Sequence, residues 1–333
     1  MFNVLDYGDQ PGLGSIFDGV DDCAAKIYEL VYQVLERTGL EAVLPGTSLT
    51  LSEFQTCIGA HPRISHRVPA LVEILEQIGA VQLSGQNIVV RKPPQPLSYD
   101  DASVERIYGE IFPQYLQMYQ QGSFLNPDFH IAFDVNNDQW DQQLRRVPLN
   151  QVTNNLAIEW VAAGPPRGGL MDLAFGPTYA LERLRQLAAP GEPVVGVDLS
   201  TRFCQSARTR FAERRLNIRI IESDLNQGLR EIEAGTMRGV MFVGAMHFIE
   251  DPETLIREVH RVLVAKGHFS LGMCITNYRS FSAPAFRLHG ALLNPPASFH
   301  DVVGMEESLR RAGFEVRFTT QFGPYRSMYA ERR

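Results

Sequence analysis

Short apolar runs alternate with helical periodicity through the second half of the chain. LMDLAF (170–175), PVVGVDL (193–199), IRIIES (218–223), GVMFVGA (239–245) and HFSLGMC (268–274) read as buried strands of a parallel sheet. Between them, apolar residues at helical spacing predict helices over Tyr179–Ala188, Arg202–Arg215 and residues 252–264, the last stopped by a C-cap at Lys266-Gly267. After an insertion (Ile275 to Asp301) come a helix over Val303–Ala312 and two strands, FEVRFTTQF and YRSMYAERR. The Gly323-Pro324 turn joins that last pair as an antiparallel hairpin. The class predicted is α/β: a Rossmann-like, doubly wound sheet with a terminal antiparallel hairpin.

The first half reads differently. Helical spacing over Asp21–Thr38 ends at Gly39, a short helix begins at Thr50, and a second runs from Ser65 to Gly79. Residues 80–92 then alternate as two strands around a Ser84-Gly85 turn. Helix, turn, helix and β-ribbon make a mostly helical winged-helix pattern. Its second helix carries His66 and Arg67 only at the front, followed by Glu73 and Glu76. A major-groove helix needs arginines or amides where bases would be, so dimerisation or packing suits this module better than DNA. Lys92–Pro96 (KPPQP) reads as a linker. An amphipathic helix over 103–122, broken near Pro113 and rich in tyrosine, suits either a substrate lid or plain core. A further helix over Asn150–Ala163 leads into GPPRGG (164–169). The expected domains are a winged-helix dimerisation domain (1–96), a helical connector or lid (97–163) and a cofactor-binding domain (164–333).

Composition narrows the function classes. A length of 333 residues allows two sizeable cores, and 44% hydrophobic with 21% charged residues is ordinary for a globular protein. A net charge of −7 argues against nucleic acid held by bulk electrostatics. Cys23, Cys57, Cys204 and Cys274 have no CxxC spacing, so neither a zinc ribbon nor a disulfide framework is expected. MFNVLDYGDQPGLG does not read as a signal peptide, and no apolar run approaches the ~18 residues of a membrane span. The expectation is a cytoplasmic protein with a small-molecule partner and no membrane.

Three carboxylates mark the strand ends: Asp172, Asp198 and Asp224. Ligands of an open α/β sheet bind past the carboxyl ends of its strands, so these acids should share one crevice. Such a crevice suits a cation with ribose hydroxyls and repels a pyrophosphate, which favours S-adenosylmethionine over NAD or ATP. The segment GAMHFIEDPETLIREVHRVLVAKGHFSL, with the strand order around it, resembles the class I S-adenosylmethionine-dependent methyltransferases. Together with the winged-helix pattern, the whole chain resembles small-molecule O- and C-methyltransferases that dimerise through that module, which implies a homodimer.

The resemblance implies roles. Asp198 would accept hydrogen bonds from the ribose hydroxyls, Leu199 would cover the adenine, and Asp224 would take the adenine amine beside the Leu225 backbone. Gly244 would let the backbone approach the methionine part, and Asp172 would hold its ammonium or fix the loop behind it. The first loop departs from the usual acid-x-Gly-x-Gly-x-Gly run: it is Asp172-Leu173-Ala174-Phe175-Gly176-Pro177-Thr178. A left-handed Ala174 would be strained by ~1–2 kcal/mol, so a modified loop path is expected, with Gly176 still giving close contact.

Methyl transfer is an in-line displacement in which the protein supplies alignment and removes a proton. His247, just past the fourth strand, is the expected general base; packing against the cofactor is its alternative. O-methylation is the first expectation. The runner-up is C-methylation of an α-keto acid assisted by a divalent metal or iron on His247 and His300, whose binding would stabilise an enolate. A third reading, of another class, is a fold relative that binds without methylating. His130, His289, the Arg145-Arg146 pair, and Phe281, Phe286 and Phe299 are weaker pocket candidates; Asn154 and Trp160 are not assigned to it.

Overall fold

The computed structural model describes residues 46–77, 81–91, 118–122, 148–275, 290–291, 296–322 and 325–333. Two compact units emerge: Met1–Pro127 with Thr276–Ala297, and Asp128–Ile275 with Ser298–Arg333. The expectations for Asp21–Thr38, the KPPQP linker, His130, Arg145, Arg146, Phe281, Phe286 and His289 lie outside the described residues.

In the first unit, β1 (Ser48–Thr50) leads into α1 (Leu51–Cys57), a single 3-10 turn (Ser65–Arg67), α2 (Val68–Gln77), and the strands β2 (Val81–Ser84) and β3 (Asn87–Val90). Thr50 caps α1 through a capping box: its side chain accepts from Glu53 N while Glu53 reaches back to Thr50 N at 2.7 Å. β3 pairs antiparallel with both β1 and β2. Phe54, Ile58, Ile64, Val68, Leu71, Leu75, Val81 and Ile88 are all buried, giving the unit its own core. Tyr119 is buried and donates its hydroxyl to Arg67 O at 3.1 Å, so this tyrosine serves as an anchor within the first unit.

The second unit holds a seven-stranded sheet. Its strands are β4 (Gly169–Leu173), β5 (Val194–Asp198), β6 (Arg219–Glu222), β7 (Met237–Val243), β8 (Leu263–Cys274), β9 (Phe314–Phe322) and β10 (Tyr325–Arg332), in the order β6-β5-β4-β7-β8-β10-β9. The pairs β5–β6, β4–β5, β4–β7 and β7–β8 are parallel, and β10 is antiparallel to β8 and β9. The predicted doubly wound sheet and terminal hairpin are therefore present. β4 and β5 are buried along their whole length, which is why their sequences run apolar without alternating.

Helices α3 (Pro148–Ala162), α4 (Tyr179–Leu187), α5 (Thr201–Glu213), α6 (Leu225–Arg230), α7 (Pro252–Val262) and α8 (Val302–Arg311) complete the unit. α3 lies so close to β7 that a Cβ on Gly239 would fall 2.3 Å from Val161 O; only glycine fits there. Asp251 caps α7 by accepting from Thr254 N at 3.0 Å, and Leu255, Ile256, Val259 and Val262 form its buried stripe.

The expected C-cap at Lys266-Gly267 is not one. α7 ends at Val262, and Leu263 is already extended (φ −70°, ψ 145°). Lys266 (φ 65°) and Gly267 instead lie within β8, where its pairing with β7 slips between Met237 and Gly239. The apolar run Val262-Leu263-Val264 continues helical spacing in sequence, but the Leu263 main chain pairs with Met237.

Candidate active site

The sheet order reverses at β4, so the crevice past the carboxyl ends of β4, β5 and β7 is where ligands bind in such folds. Asp172 and Asp198 both stand there, on adjacent parallel strands, and both are buried. Asp198 is held from two sides: Oδ2 accepts from Gly176 N at 2.8 Å and Oδ1 from Ser200 N at 2.9 Å. Asp172 is fully enclosed; burial first, and the nearby Asp198 charge second, push its carboxyl well above the ordinary value of 3.8.

Asp224 differs from the other two. It is exposed and caps α6, its Oδ1 accepting from Asn226 N at 2.9 Å and Gln227 N at 3.4 Å. Leu225 is buried as the first residue of that helix, while Leu199 is half-buried just past β5.

The first loop keeps its turn without its glycine. Ala174 is left-handed (φ 52°), as is Gly176 (φ 51°), and Ala174 N donates to Val197 O at 2.8 Å. The expected modified path is thus corrected: the alanine accepts the strained conformation because the bond to β5 and the clamp from Asp198 fix the turn on both sides of Phe175. A Cβ on Gly176 would meet only Phe203 Cε2, at 3.9 Å, and one on Gly244 (φ 87°) only Tyr325 Oη, at 3.6 Å. Both glycines leave open space for a ligand to approach the backbone. With two acids for a cation and hydroxyls, the residues present fit S-adenosylmethionine.

His247 lies on the 3-10 turn Met246–Phe248, three residues past Gly244, and is half-buried. Its ring sits against Phe248 (centroids 4.1 Å) and stacks at 6.1 Å with Phe299. Residues 298–300 run beside this turn, since Ser298 N donates to His247 O at 2.7 Å. His300 Nε2 lies 2.9 Å from Ile249 O; a carbonyl only accepts, so this nitrogen carries the proton and is unavailable to a metal. Among the described residues no group of three or more His, Cys, Asp or Glu is placed to hold a metal ion. Trp160 is no site residue: it stacks on His268 at 4.0 Å and donates to Phe269 O at 3.1 Å, pinning α3 to β8.

Sequence reasoning passed over Tyr325. As the first residue of β10 it pairs with Cys274, the last of β8, and both are buried at the carboxyl edge. The one signal available was a tyrosine beginning a strand directly after a tight turn, opposite a strand that carries a glycine.

This sheet order, with acids at the ends of β4 and β5, defines the class I methyltransferase fold. Residues 170–267 match a family model described as a methyltransferase domain. The chain therefore carries an S-adenosylmethionine-dependent methyltransferase domain. No curated protein matches the sequence. Among solved structures, the CurJ carbon methyltransferase is similar in fold, with 15% identity, a TM-score of 0.72, and coverage of 94% of this chain and 92% of that one. The methyltransferase domain of the citrinin polyketide synthase gives 13% identity, a TM-score of 0.69 and coverage of 96% and 91%. The DszA carbon methyltransferase gives 14%, 0.68, 100% and 97%. No helix among the described residues is long and apolar enough to cross a membrane.

Proposed function

We propose that the protein methylates a carbon acid, a carbon made acidic by a neighbouring carbonyl as in polyketide-type acyl chains, with His247 as the general base. The observation that carries this reading is the position of His247: half-buried on the turn that follows β7, beside the open Gly244, where a methyl donor's reactive end belongs. Carbon is preferred to the oxygen first expected because the structures that match over nearly the whole chain are named as carbon methyltransferases or belong to a polyketide synthase.

S-adenosylmethionine, when bound, supplies an electrophilic methyl group on a sulfonium. Asp198 holds the ribose hydroxyls, and Asp172 faces the ammonium. Gly176 and Gly244 let the backbone lie against the ligand, while Leu199, Asp224 and Leu225 line the adenine end. The Phe248 and Phe299 rings lie beside the His247 ring, with centroids at 4.1 and 6.1 Å. The helix, helix and ribbon order of the first unit supports a winged-helix module through which two copies pair, a point that light scattering on the purified protein decides.

The test is a pair of measurements on one preparation. Calorimetry with S-adenosylmethionine and S-adenosylhomocysteine reads the cofactor site, and mass spectrometry of a β-keto thioester incubated with the donor reads carbon methylation. His247→Ala should abolish turnover while leaving S-adenosylhomocysteine affinity within a few fold. Retained turnover would remove His247 from the chemistry.

A further inference from the structure

Tyr325 carries a hydroxyl that its own fold does not satisfy. The residue is only 8% exposed, yet among the described residues its hydroxyl proton finds no acceptor. A buried hydroxyl without a partner is costly, so such a group is usually strain or function. Its location argues for function. The phenol ring crosses β8 over Gly272: a Cβ there would fall 2.7 Å from Tyr325 Oη and 3.0 Å from Cε1, so glycine is the notch that admits the ring. The hydroxyl thereby reaches Gly244, whose N–H bonds Gly272 O at 3.2 Å and also faces the phenol oxygen; an N–H only donates, so the phenolic proton stays free. Gly244 is the open glycine at the end of β7, three residues before His247. Cys274, across from Tyr325 in the ladder, is buried too, and burial pushes its thiol up to about 12, so no thiolate competes for the phenolic proton.

We propose that Tyr325 donates this hydrogen bond to the acceptor's carbonyl oxygen, stabilising the enolate formed when His247 removes the neighbouring proton. The inference rests on the carbon-methylation reading. In the step, the α C–H bond breaks, its proton passes to the His247 ring, and the electron pair moves onto the carbonyl oxygen beneath the Tyr325 O–H. Burial holds the phenol well above its ordinary value of 10.0, so it remains a donor across the working pH range. A fixed donor aimed where charge develops is worth about 100-fold in rate or more.

The measurement is α-proton exchange of an acetoacetyl thioester in D2O, followed by NMR without cofactor and corrected for the enzyme-free rate. Tyr325→Phe should slow enzyme-catalysed exchange about 100-fold, keep S-adenosylhomocysteine affinity within twofold, and melt no lower than wild type, because phenylalanine fits the same space without an orphan hydroxyl. Gly272→Ala should slow exchange likewise by displacing the ring. Exchange by Tyr325→Phe within twofold of wild type overturns the proposal alone. A tenfold loss of S-adenosylhomocysteine affinity with normal exchange also overturns it, assigning the hydroxyl to the cofactor's carboxylate. No exchange by the wild type sinks the carbon-methylation reading together with the proposal.

Discussion

Asp198 Oδ2 accepts a hydrogen bond from Gly176 N at 2.8 Å, so the carboxylate proposed to hold the ligand's ribose also closes the loop that would lie against the rest of it. A second backbone N–H, from Ser200, comes to Oδ1 at 2.9 Å, which ties the same side chain to the start of α5. On the proposed binding mode, ligand affinity and loop order would be coupled through one residue.

Asp198→Ala should therefore lower both affinity and stability. Each lost bond to a charged acceptor is worth roughly 1.5–3 kcal/mol. S-adenosylhomocysteine affinity should fall at least about tenfold, the equivalent of ~1.4 kcal/mol, and Tm should drop alongside it. Unchanged affinity in calorimetry would place the ribose elsewhere.

Asp172 carries a proton linkage. Its folded-state carboxyl is held above the ordinary 3.8, so the folded protein keeps a proton that the unfolded chain has lost. Stability contributed at this site is then full below the ordinary value and declines as pH rises from there towards the raised one. Asp172→Asn should flatten that decline, seen as a smaller loss of Tm between acidic and alkaline buffers. A bound ammonium favours the carboxylate, so cofactor binding to the wild type should release a proton. Calorimetry in two buffers of different ionisation enthalpy measures that release, and Asp172→Asn should abolish it. Equal release by both proteins would separate Asp172 from the ammonium.

Ala174 tests the first loop. Left-handed alanine costs ~1–2 kcal/mol, and glycine's added unfolded-state freedom returns roughly 0.5–1 of that. Ala174→Gly should raise stability by up to about 1 kcal/mol in chemical denaturation, with cofactor affinity unchanged or improved. A loss of stability would mean that the Ala174 methyl packing outweighs its backbone strain.

Much of this site could be read before the structure, for a physical reason. Asp172 and Asp198 are polar residues inside runs buried on both faces, and such a position is costly without a ligand or backbone donors to meet it. The hairpin over 314–332 and the sheet class followed from periodicity and one Gly-Pro turn. The rest depends on tertiary geometry. Asp224 looks like its two fellows in sequence, yet an exposed position made it the N-cap of α6 as well. The role proposed for Tyr325 was invisible because it depends on the register that sets this residue opposite Cys274 and over the Gly272 notch. Lys266-Gly267 has the composition of a helix stop, but strand pairing of Leu263 with Met237 ends the helix earlier.

His300 separates a metal-assisted reaction from one carried by side chains alone. Its Nε2–H donates to Ile249 O at 2.9 Å, and the neighbouring Ser298 N donates to His247 O at 2.7 Å, so the two bonds dock residues 298–300 along the turn that bears the proposed base. A glutamine can supply a donor of similar reach, whereas alanine cannot. His300→Gln should keep kcat within a few fold, and His300→Ala should lower it by loosening Phe299 from the His247 ring. Prolonged chelator treatment should leave the wild-type rate unchanged. Loss of activity on chelation, restored by one divalent metal and absent in both His300 variants, would instead make this histidine a ligand through Nδ1.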